Sequence, residues 1–313
     1  MQVTQAALRA KSRRGGRRRV RTKQLLEAYL MLAPFLVIFI VFTIWPIARS
    51  LYLSFTDFNG LGAPELIGLT NFRELLSDNR FYKALGNTAV YTFWAVVLSN
   101  IIGLALALAF RANNGFNYFM RTLLFLPSIT SSIAVSVLWL WIFAGESYGL
   151  VNGVRASLGL DRISFLANPD LTIPIIVLMS VWGGMGGSMV LFLAGLNAVP
   201  GELSESAAID GASKIQRFWR ITFPLLRPTI LYVVITGIIG SFQTFDAAYI
   251  LFGSTESIGG VLDSALFLVP YLYEQGFTFF NLGYASAVAW ALFIIIFIIT
   301  AINLVAGRAN DAY

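Results

Sequence analysis

Residues 199–224 read VPGELSESAAIDGASKIQRFWRITFP and form a polar segment between two long apolar runs. Glu205 lies where a short helix would begin, and a carboxylate is favourable near the positive end of a helix dipole. Gly211 can adopt the positive φ that ends such a helix. Ser213 and Gln216 have the spacing of a capping box that starts another one. The segment therefore predicts two short helices separated by a glycine turn.

The runs on either side of this segment are long enough to cross a lipid bilayer. There are 31 uncharged residues between Asp170 and Glu202, and 18 between Arg227 and Asp246, after which apolar sequence continues to Phe252. A bilayer core of about 30 Å needs roughly 20 apolar residues of helix. Charge gaps of similar length predict six spans in all, at residues 28–53, 85–110, 122–144, 172–197, 228–252 and 283–306.

The composition favours the same class and excludes several others. Hydrophobic residues make up 57% of the 313-residue chain and charged residues 12%, whereas soluble domains carry about 25% charged residues. The chain has no Cys and no His, which excludes disulfides, metal sites built on those ligands and Ser-His-Asp triads. We therefore expect an all-α membrane protein with no catalytic residues and no metal site.

The distribution of Lys and Arg predicts that both termini are cytoplasmic. With that orientation, 16 of the basic residues lie on the inner side and 6 on the outer side, as the positive-inside rule requires. We interpret the Arg-rich start as a basic cytoplasmic tail that orients the first span, rather than as a nucleic-acid-binding arm. The predicted organisation is this tail over residues 1–27, a six-helix transmembrane domain over 28–306 with a cytoplasmic loop at 198–227, and a cytoplasmic tail over 307–313.

The polar segment also contains a spaced motif. Three residues separate Glu205-Ser206-Ala207 from Gly211, and nine more separate Gly211 from Ile221-Thr222-Phe223-Pro224. The pattern resembles the cytoplasmic loop of permease subunits of bacterial ABC importers with the type I fold, where it reads Glu-Ala-Ala, then Gly, then Ile-x-Leu-Pro. Ser206 and Phe223 depart mildly from it. The wider sequence, with Asp210-Gly211-Ala212, resembles the sugar branch, which includes maltose, lactose and glycerol-3-phosphate permeases.

The resemblance implies a multi-pass protein of the bacterial inner membrane that pairs with a second permease subunit, most often as a heterodimer. Two cytoplasmic ATPase subunits would bind ATP and Mg²⁺, so no cofactor is expected in this chain. An extracytoplasmic binding protein would deliver the solute. The loop would couple the permease to the ATPases through Glu205, Ser206, Ala207, Asp210, Gly211, Ala212, Phe218, Ile221 and Pro224.

Polar residues within spans are expected to face a cavity or another helix. By resemblance to the sugar branch, and by their polarity, the candidate solute-pathway residues are Ser128, Ser180, Gly184, Gly187, Gln243 and Asp246. Gln243 and Asp246 are three residues apart, which predicts that they share one helical face. The spans between residues 85 and 306 contain no Lys or Arg, which favours a neutral sugar over glycerol-3-phosphate, although a partner permease could supply a cation.

Other functions remain as alternatives. The same machinery could import another small polar solute. An ion-coupled secondary transporter would need ionisable groups within the spans, where the sequence offers little beyond Asp246. A membrane-embedded enzyme would need His, Cys or paired carboxylates there. Copurification of an ATPase would distinguish a permease of an ABC importer from a secondary transporter and from a membrane-embedded enzyme.

Overall fold

The structure is a computed structural model that describes residues 27–253 and 258–309. The predicted basic tail, apart from Glu27, and most of the predicted C-terminal tail lie outside these residues. The first helices are α1 Glu27–Leu53, α2 Thr70–Ser77, α3 Asn79–Ala109, α4 Gly115–Ile129, α5 Ser132–Ile142, α6 Leu150–Ser157 and α7 Pro169–Ala198. They are followed by α8 Gly201–Ile209, α9 Lys214–Leu225, α10 Arg227–Phe242, α11 Asp246–Phe252, α12 Leu268–Tyr273 and α13 Leu282–Ala309. Two short strands, β1 Thr56–Asp57 and β2 Glu65–Leu66, pair antiparallel.

Within the described residues, four helices are long and apolar enough to cross a membrane: α1, α3, α7 and α13. They correspond to the predicted first, second, fourth and sixth spans. Two bent pairs, α4 with α5 and α9 with α10, raise the number to six if each pair forms one span. A mostly helical membrane protein is therefore confirmed, whereas the count of six spans and the side of each terminus stay predictions.

The predicted third span, residues 122–144, is not one straight helix. The axes of α4 and α5 meet at 96°. Pro127 lies in the last turn of α4 and lacks the N–H that would continue the helical hydrogen bonds. Thr130 and Ser131 then take extended ψ values of 144° and 130°. Apolar composition does not reveal this two-residue break, so the bend in the predicted span was not expected from the sequence.

The predicted fifth span, residues 228–252, is also interrupted. The helix α10 ends at Phe242, and α11 begins at Asp246. In the backbone between them, the Thr244 N–H donates a hydrogen bond of 3.2 Å to the Ser241 carbonyl. Non-helical backbone is tolerated at membrane depth where it lines a cavity, as it does here. The sequence had predicted that Gln243 and Asp246 share a helical face. That prediction is wrong, because the two residues lie on either side of the break between α10 and α11.

The helices α3 and α7 form the centre of the bundle, and their close approach depends on small residues. A Cβ atom at Gly103 of α3 would lie 2.6 Å from the Cβ of Ser188 in α7. Tyr91, Ile176 and Ala248 belong to one buried cluster that joins α3, α7 and α11. This packing holds the broken α10–α11 segment against the two central helices.

The two-helix loop after α7 is confirmed. Gly211 follows α8 with φ +80°, and the Ala212 N–H donates to the Ala207 carbonyl at 2.9 Å, as in a Schellman motif. Ser213 and Gln216 form the predicted capping box at the start of α9. The turn chemistry of the sequence is thus sufficient to determine this local structure.

Candidate solute pathway and coupling loop

A cavity of about 670 Å³ opens between α3, the α4–α5 bend, α7 and the α10–α11 break. Its polar wall is made of hydroxyls and amides with a single carboxylate: Ser99, Asn100, Ser128, Thr130, Ser132, Ser180, Ser188, Thr236, Ser241, Gln243, Thr244 and Asp246. None of the described residues that line it is Lys or Arg. The cavity therefore suits a ligand with many neutral hydrogen-bonding groups.

The structure brings most of the predicted solute-pathway residues together. Five of the six line this cavity: Ser128, Ser180, Gly184, Gln243 and Asp246. Gly187 is not among the lining residues, and its backbone N–H donates to the Ser128 hydroxyl at 3.1 Å. Gly187 thus positions a lining residue in the structure, and the contact of each residue with solute stays a prediction.

A hydroxyl network fixes the wall of the cavity at the helix break. The Tyr91 hydroxyl lies 2.8 Å from the Ser180 hydroxyl, and the Thr244 hydroxyl donates to Tyr91 at 3.1 Å. The network joins α3, α7 and the break after α10. Sequence reasoning missed Tyr91 because an aromatic residue inside an apolar span resembles an ordinary core residue.

Asp246 lies in the first turn of α11, where the helix dipole favours a carboxylate. It is half-buried in the cavity wall. Within residues 27–253 and 258–309, no Lys or Arg pairs with it. The carboxylate is therefore available to accept hydrogen bonds from a ligand.

The glycines of α7 serve two different purposes. A Cβ atom at Gly186 would collide with the backbone of Leu124 in α4, so this glycine permits the two helices to cross. A Cβ atom at Gly183 would meet nothing within 4 Å, and one at Gly184 would make only ordinary contact with Ser99. Gly183 and Gly184 therefore leave space in the cavity, whereas Gly186 makes a packing contact.

An ion cluster joins the N-terminal end of α3 to the segments on either side of α12. Arg80 donates to both carboxylate oxygens of Asp263 at 3.0 Å and to Glu274 at 2.8 Å. Glu274 is only 5% exposed, so this pairing satisfies a buried charge. We call these three residues the Arg80 cluster. Sequence reasoning missed it because Arg80 lies 183 and 194 residues along the chain from its two acidic partners.

Asp78, beside this cluster, caps α3 and is held as a carboxylate. It accepts hydrogen bonds from the hydroxyls of Tyr271 and Tyr284 and from the Arg80 backbone N–H. Burial by itself would raise the pKa of Asp78, but these hydrogen bonds outweigh it and lower that pKa below its ordinary value. Burial, followed by the facing carboxylate, raises the pKa of Tyr271, which therefore remains a donor.

The Arg80 cluster and the two-helix loop lie at opposite ends of the bundle. The hydroxyls of Thr172, near the start of α7, and Ser264, beside the cluster, are 2.9 Å apart. The N-terminal ends of α3 and α7 are thus at the same end, and the loop follows the C-terminal end of α7. This arrangement separates the two ends on which different partners could bind.

The predicted coupling residues form one exposed unit. Glu205, Ser206, Asp210 and Gly211 are exposed, whereas Ala207, Ala212, Phe218, Ile221 and Pro224 are half-buried. Arg217 donates to the Ser204 carbonyl at 3.3 Å and so ties α9 to α8. Ile209 and Ile215 are 87% and 73% exposed, and they add an apolar surface that the sequence analysis did not single out. The unit can present both charge and apolar area to another protein.

A family profile described as "Binding-protein-dependent transport system inner membrane component" matches residues 99–313. The chain is 38% identical to a probable ABC transporter permease protein, YesP, of Bacillus subtilis (strain 168), over 90% of each chain. It is 36% identical to the arabinooligosaccharides transport system permease protein AraP of the same organism, over 88% of this chain and 87% of that one. It is 32% identical to the lactose transport system permease protein LacF of Rhizobium radiobacter, over 90% and 94%.

The fold is also found in a solved structure of a bacterial ABC transporter involved in the import of the acidic polysaccharide alginate. The TM-score is 0.80, the identity is 24%, and the match covers 92% of this chain and 96% of that one. A second structure of the alginate transporter, in complex with an alginate pentasaccharide-bound periplasmic protein, matches with a TM-score of 0.80 and 23% identity over 93% and 96% of the two chains. At these identities the likeness is one of fold.

Proposed function

Because the chain belongs to the family of inner membrane components of binding-protein-dependent transport systems, we propose that it is one permease subunit of an ATP-driven sugar importer. The family resemblance predicted from the coupling loop is thereby confirmed. The family is one of transport proteins rather than enzymes. Relatives with about a third of their residues identical are permeases for arabinooligosaccharides and lactose, which supports a sugar as the solute.

The cavity is the observation that carries the proposal for a neutral sugar. Its hydroxyl and amide groups can each donate to or accept from sugar hydroxyls. The Asp246 carboxylate can accept hydrogen bonds from two neighbouring hydroxyls. A phosphorylated or otherwise anionic solute would meet this carboxylate without a Lys or Arg among the described lining residues. Such a solute would need a cation from the second permease subunit.

The other subunits of the importer are assigned to the two opposite ends of the helix bundle. We infer that both termini and the loop at 198–227 are cytoplasmic, in the bacterial inner membrane. Two ATPase subunits would bind ATP and Mg²⁺ and contact the loop through Glu205 and its exposed neighbours. The extracytoplasmic binding protein would dock at the opposite end, near the Arg80 cluster. Closure of the ATPases on ATP would then switch two permease subunits, paired as a heterodimer, between two states of alternating access.

The test begins with the cognate binding protein and a panel of maltose, lactose, arabinotriose and glycerol-3-phosphate. We expect one of the neutral sugars to raise the melting temperature of the binding protein most. The complete complex, reconstituted in vesicles, should then take up that sugar only when ATP reaches the ATPase subunits. Preferential binding and uptake of glycerol-3-phosphate would contradict the assignment to neutral sugars. Uptake without ATP that collapses with an ionophore would contradict the ABC assignment itself.

A further inference from the structure

Four aromatic rings form a continuous row outside the hydroxyl network of the cavity. The centroids of Phe245 and Tyr249 are 5.1 Å apart with nearly parallel planes, and Phe245 also lies 5.2 Å from Tyr273. Tyr273 stacks on Phe277 at 5.1 Å, and Tyr249 meets Tyr273 edge-on at 5.8 Å. We call these four residues the aromatic row.

The row begins in the cavity and ends at the surface. Phe245 belongs to the cavity wall, at the break between α10 and α11. Tyr249 and Phe277 are 41% and 60% exposed. Phe277 lies three residues after Glu274 of the Arg80 cluster, at the end of the bundle opposite the coupling loop. The row therefore connects that end with the interior of the cavity.

The tyrosines of the row differ from the tyrosines that pack the core. Tyr271 and Tyr284 are 1% and 8% exposed, and both hydroxyls bond to Asp78. By contrast, Tyr249 is exposed, and within residues 27–253 and 258–309 neither its hydroxyl nor that of Tyr273 has a hydrogen-bond partner. Buried tyrosine hydroxyls usually find a partner. An exposed ring with a free hydroxyl, as at Tyr249, is instead suited to a ligand that has both an apolar and a polar side.

We propose that the aromatic row is a sugar-binding track that leads solute from the binding-protein side into the cavity. A sugar ring has an apolar face of C–H groups that can lie on an aromatic ring, while its hydroxyls bond at the edges. Because neighbouring rings are between 5.1 and 5.8 Å apart, a sugar can contact the next ring before it leaves the last. The track ends beside Gln243 and Asp246, whose amide and carboxylate groups can then form hydrogen bonds with the sugar hydroxyls. This inference rests on the proposed function as a sugar permease.

The experiment removes ring faces while preserving apolar volume. Tyr249→Leu and Tyr273→Leu are compared with Tyr249→Phe, which keeps the ring, and with Tyr148→Leu as a control. Tyr148 is 68% exposed, lies in the α5–α6 connection and takes no part in the ring contacts of the row. The complete complex is reconstituted in vesicles with binding protein, and uptake of labelled maltose, lactose and arabinotriose is measured together with ATP hydrolysis. The readout is the amount of sugar moved per ATP hydrolysed, because general damage to the protein would lower both rates together.

We expect the two leucine variants to move about fivefold less sugar per ATP, which corresponds to about 1 kcal/mol of lost aromatic contact. Tyr249→Phe and Tyr148→Leu should resemble the wild type. Leucine variants that equal the control would overturn the track while the permease function stands. Loss of the second permease subunit on purification of the leucine variants would also overturn it, since the row would then be a subunit interface. If the wild type moves none of the three sugars, the proposed function fails together with the track.

Discussion

At the scale of single residues, the glycines of α7 give a sharp contrast. Gly186→Ala places a methyl group against the Leu124 backbone, whereas Gly183→Ala places one in open space. We expect Gly186→Ala to cost about 1–3 kcal/mol through overpacking and to lower membrane abundance and melting temperature. Gly183→Ala is the matched control and should be close to the wild type in both. Equal behaviour of the two variants would contradict the distinction between a packing glycine and a cavity glycine.

Asp246 can be tested in a similar way, because Asp170 offers a second carboxylate in the first turn of a helix. Asp246→Ala should lower sugar uptake strongly while the ATPase subunits still copurify, since the carboxylate faces the cavity. Asp170→Ala, which is exposed at the start of α7, should leave uptake unchanged. Normal uptake by Asp246→Ala would reduce the residue to an interaction with the dipole of α11.

Sequence alone predicted a large part of the candidate site and missed some of its supports. Five of the lining residues were found in two ways, by their polarity within apolar runs and by resemblance to the sugar branch: Ser128, Ser180, Gly184, Gln243 and Asp246. The contribution of Tyr91 could not be predicted, since its role depends on two hydroxyls that lie 89 and 153 residues away along the chain. Long-range pairs of this kind leave no local pattern in the sequence.

At the scale of elements, the coupling loop makes the clearest prediction. Gly211 has φ +80°, and a Cβ there would meet nothing within 4 Å, so only the backbone conformation opposes substitution. Gly211→Val should distort the turn at a cost of about 1–2 kcal/mol, whereas Gly211→Asn should be tolerated because Asn accepts left-handed backbone. We expect less ATPase to copurify with the Val variant than with the Asn variant.

Glu205→Ala provides the second half of that test. Glu205 is exposed on α8, so its loss should hardly change stability. Attachment of the ATPase and uptake should nevertheless fall, with permease abundance in the membrane as the control. Full retention of ATPase in Glu205→Ala and Gly211→Val together would remove the coupling assignment from this loop.

The elements also show where sequence reasoning stops. The helices beside the loop were predictable because capping residues and a glycine turn act locally. The breaks at Thr130-Ser131 and at residues 243–245 lie inside apolar runs that read as continuous spans. Pro127 helps to end the helix before the first break. The rest is tertiary, namely the cavity that accommodates the freed backbone groups and the bond from Thr244 to Tyr91.

At the scale of the whole molecule, Asp78 links stability to pH at the end opposite the coupling loop. Its pKa is lowered in the fold, so the carboxylate adds stability above its unfolded pKa of about 3.9. That contribution is lost as pH falls through the lowered folded pKa. The melting temperature of Asp78→Asn should therefore lie below that of the wild type at pH 7, and the gap should narrow below about pH 4. Asp57→Asn, at an exposed site, is the control and should show no such gap.

The orientation of the molecule in the membrane decides which partner meets which end. The positive-inside count is 16 basic residues against 6, and the bond from Thr172 to Ser264 brings the segments around Gly260 and the start of α7 to one end. A reporter that is active only in the cytoplasm should therefore be active when fused after Arg308 and silent when inserted near Gly260. Insertion after Ser213, in the coupling loop, should give activity as an internal control. The reverse pattern would move the Glu205 loop to the outer side, where no ATPase could reach it, and would overturn the coupling assignment while leaving the bundle itself intact.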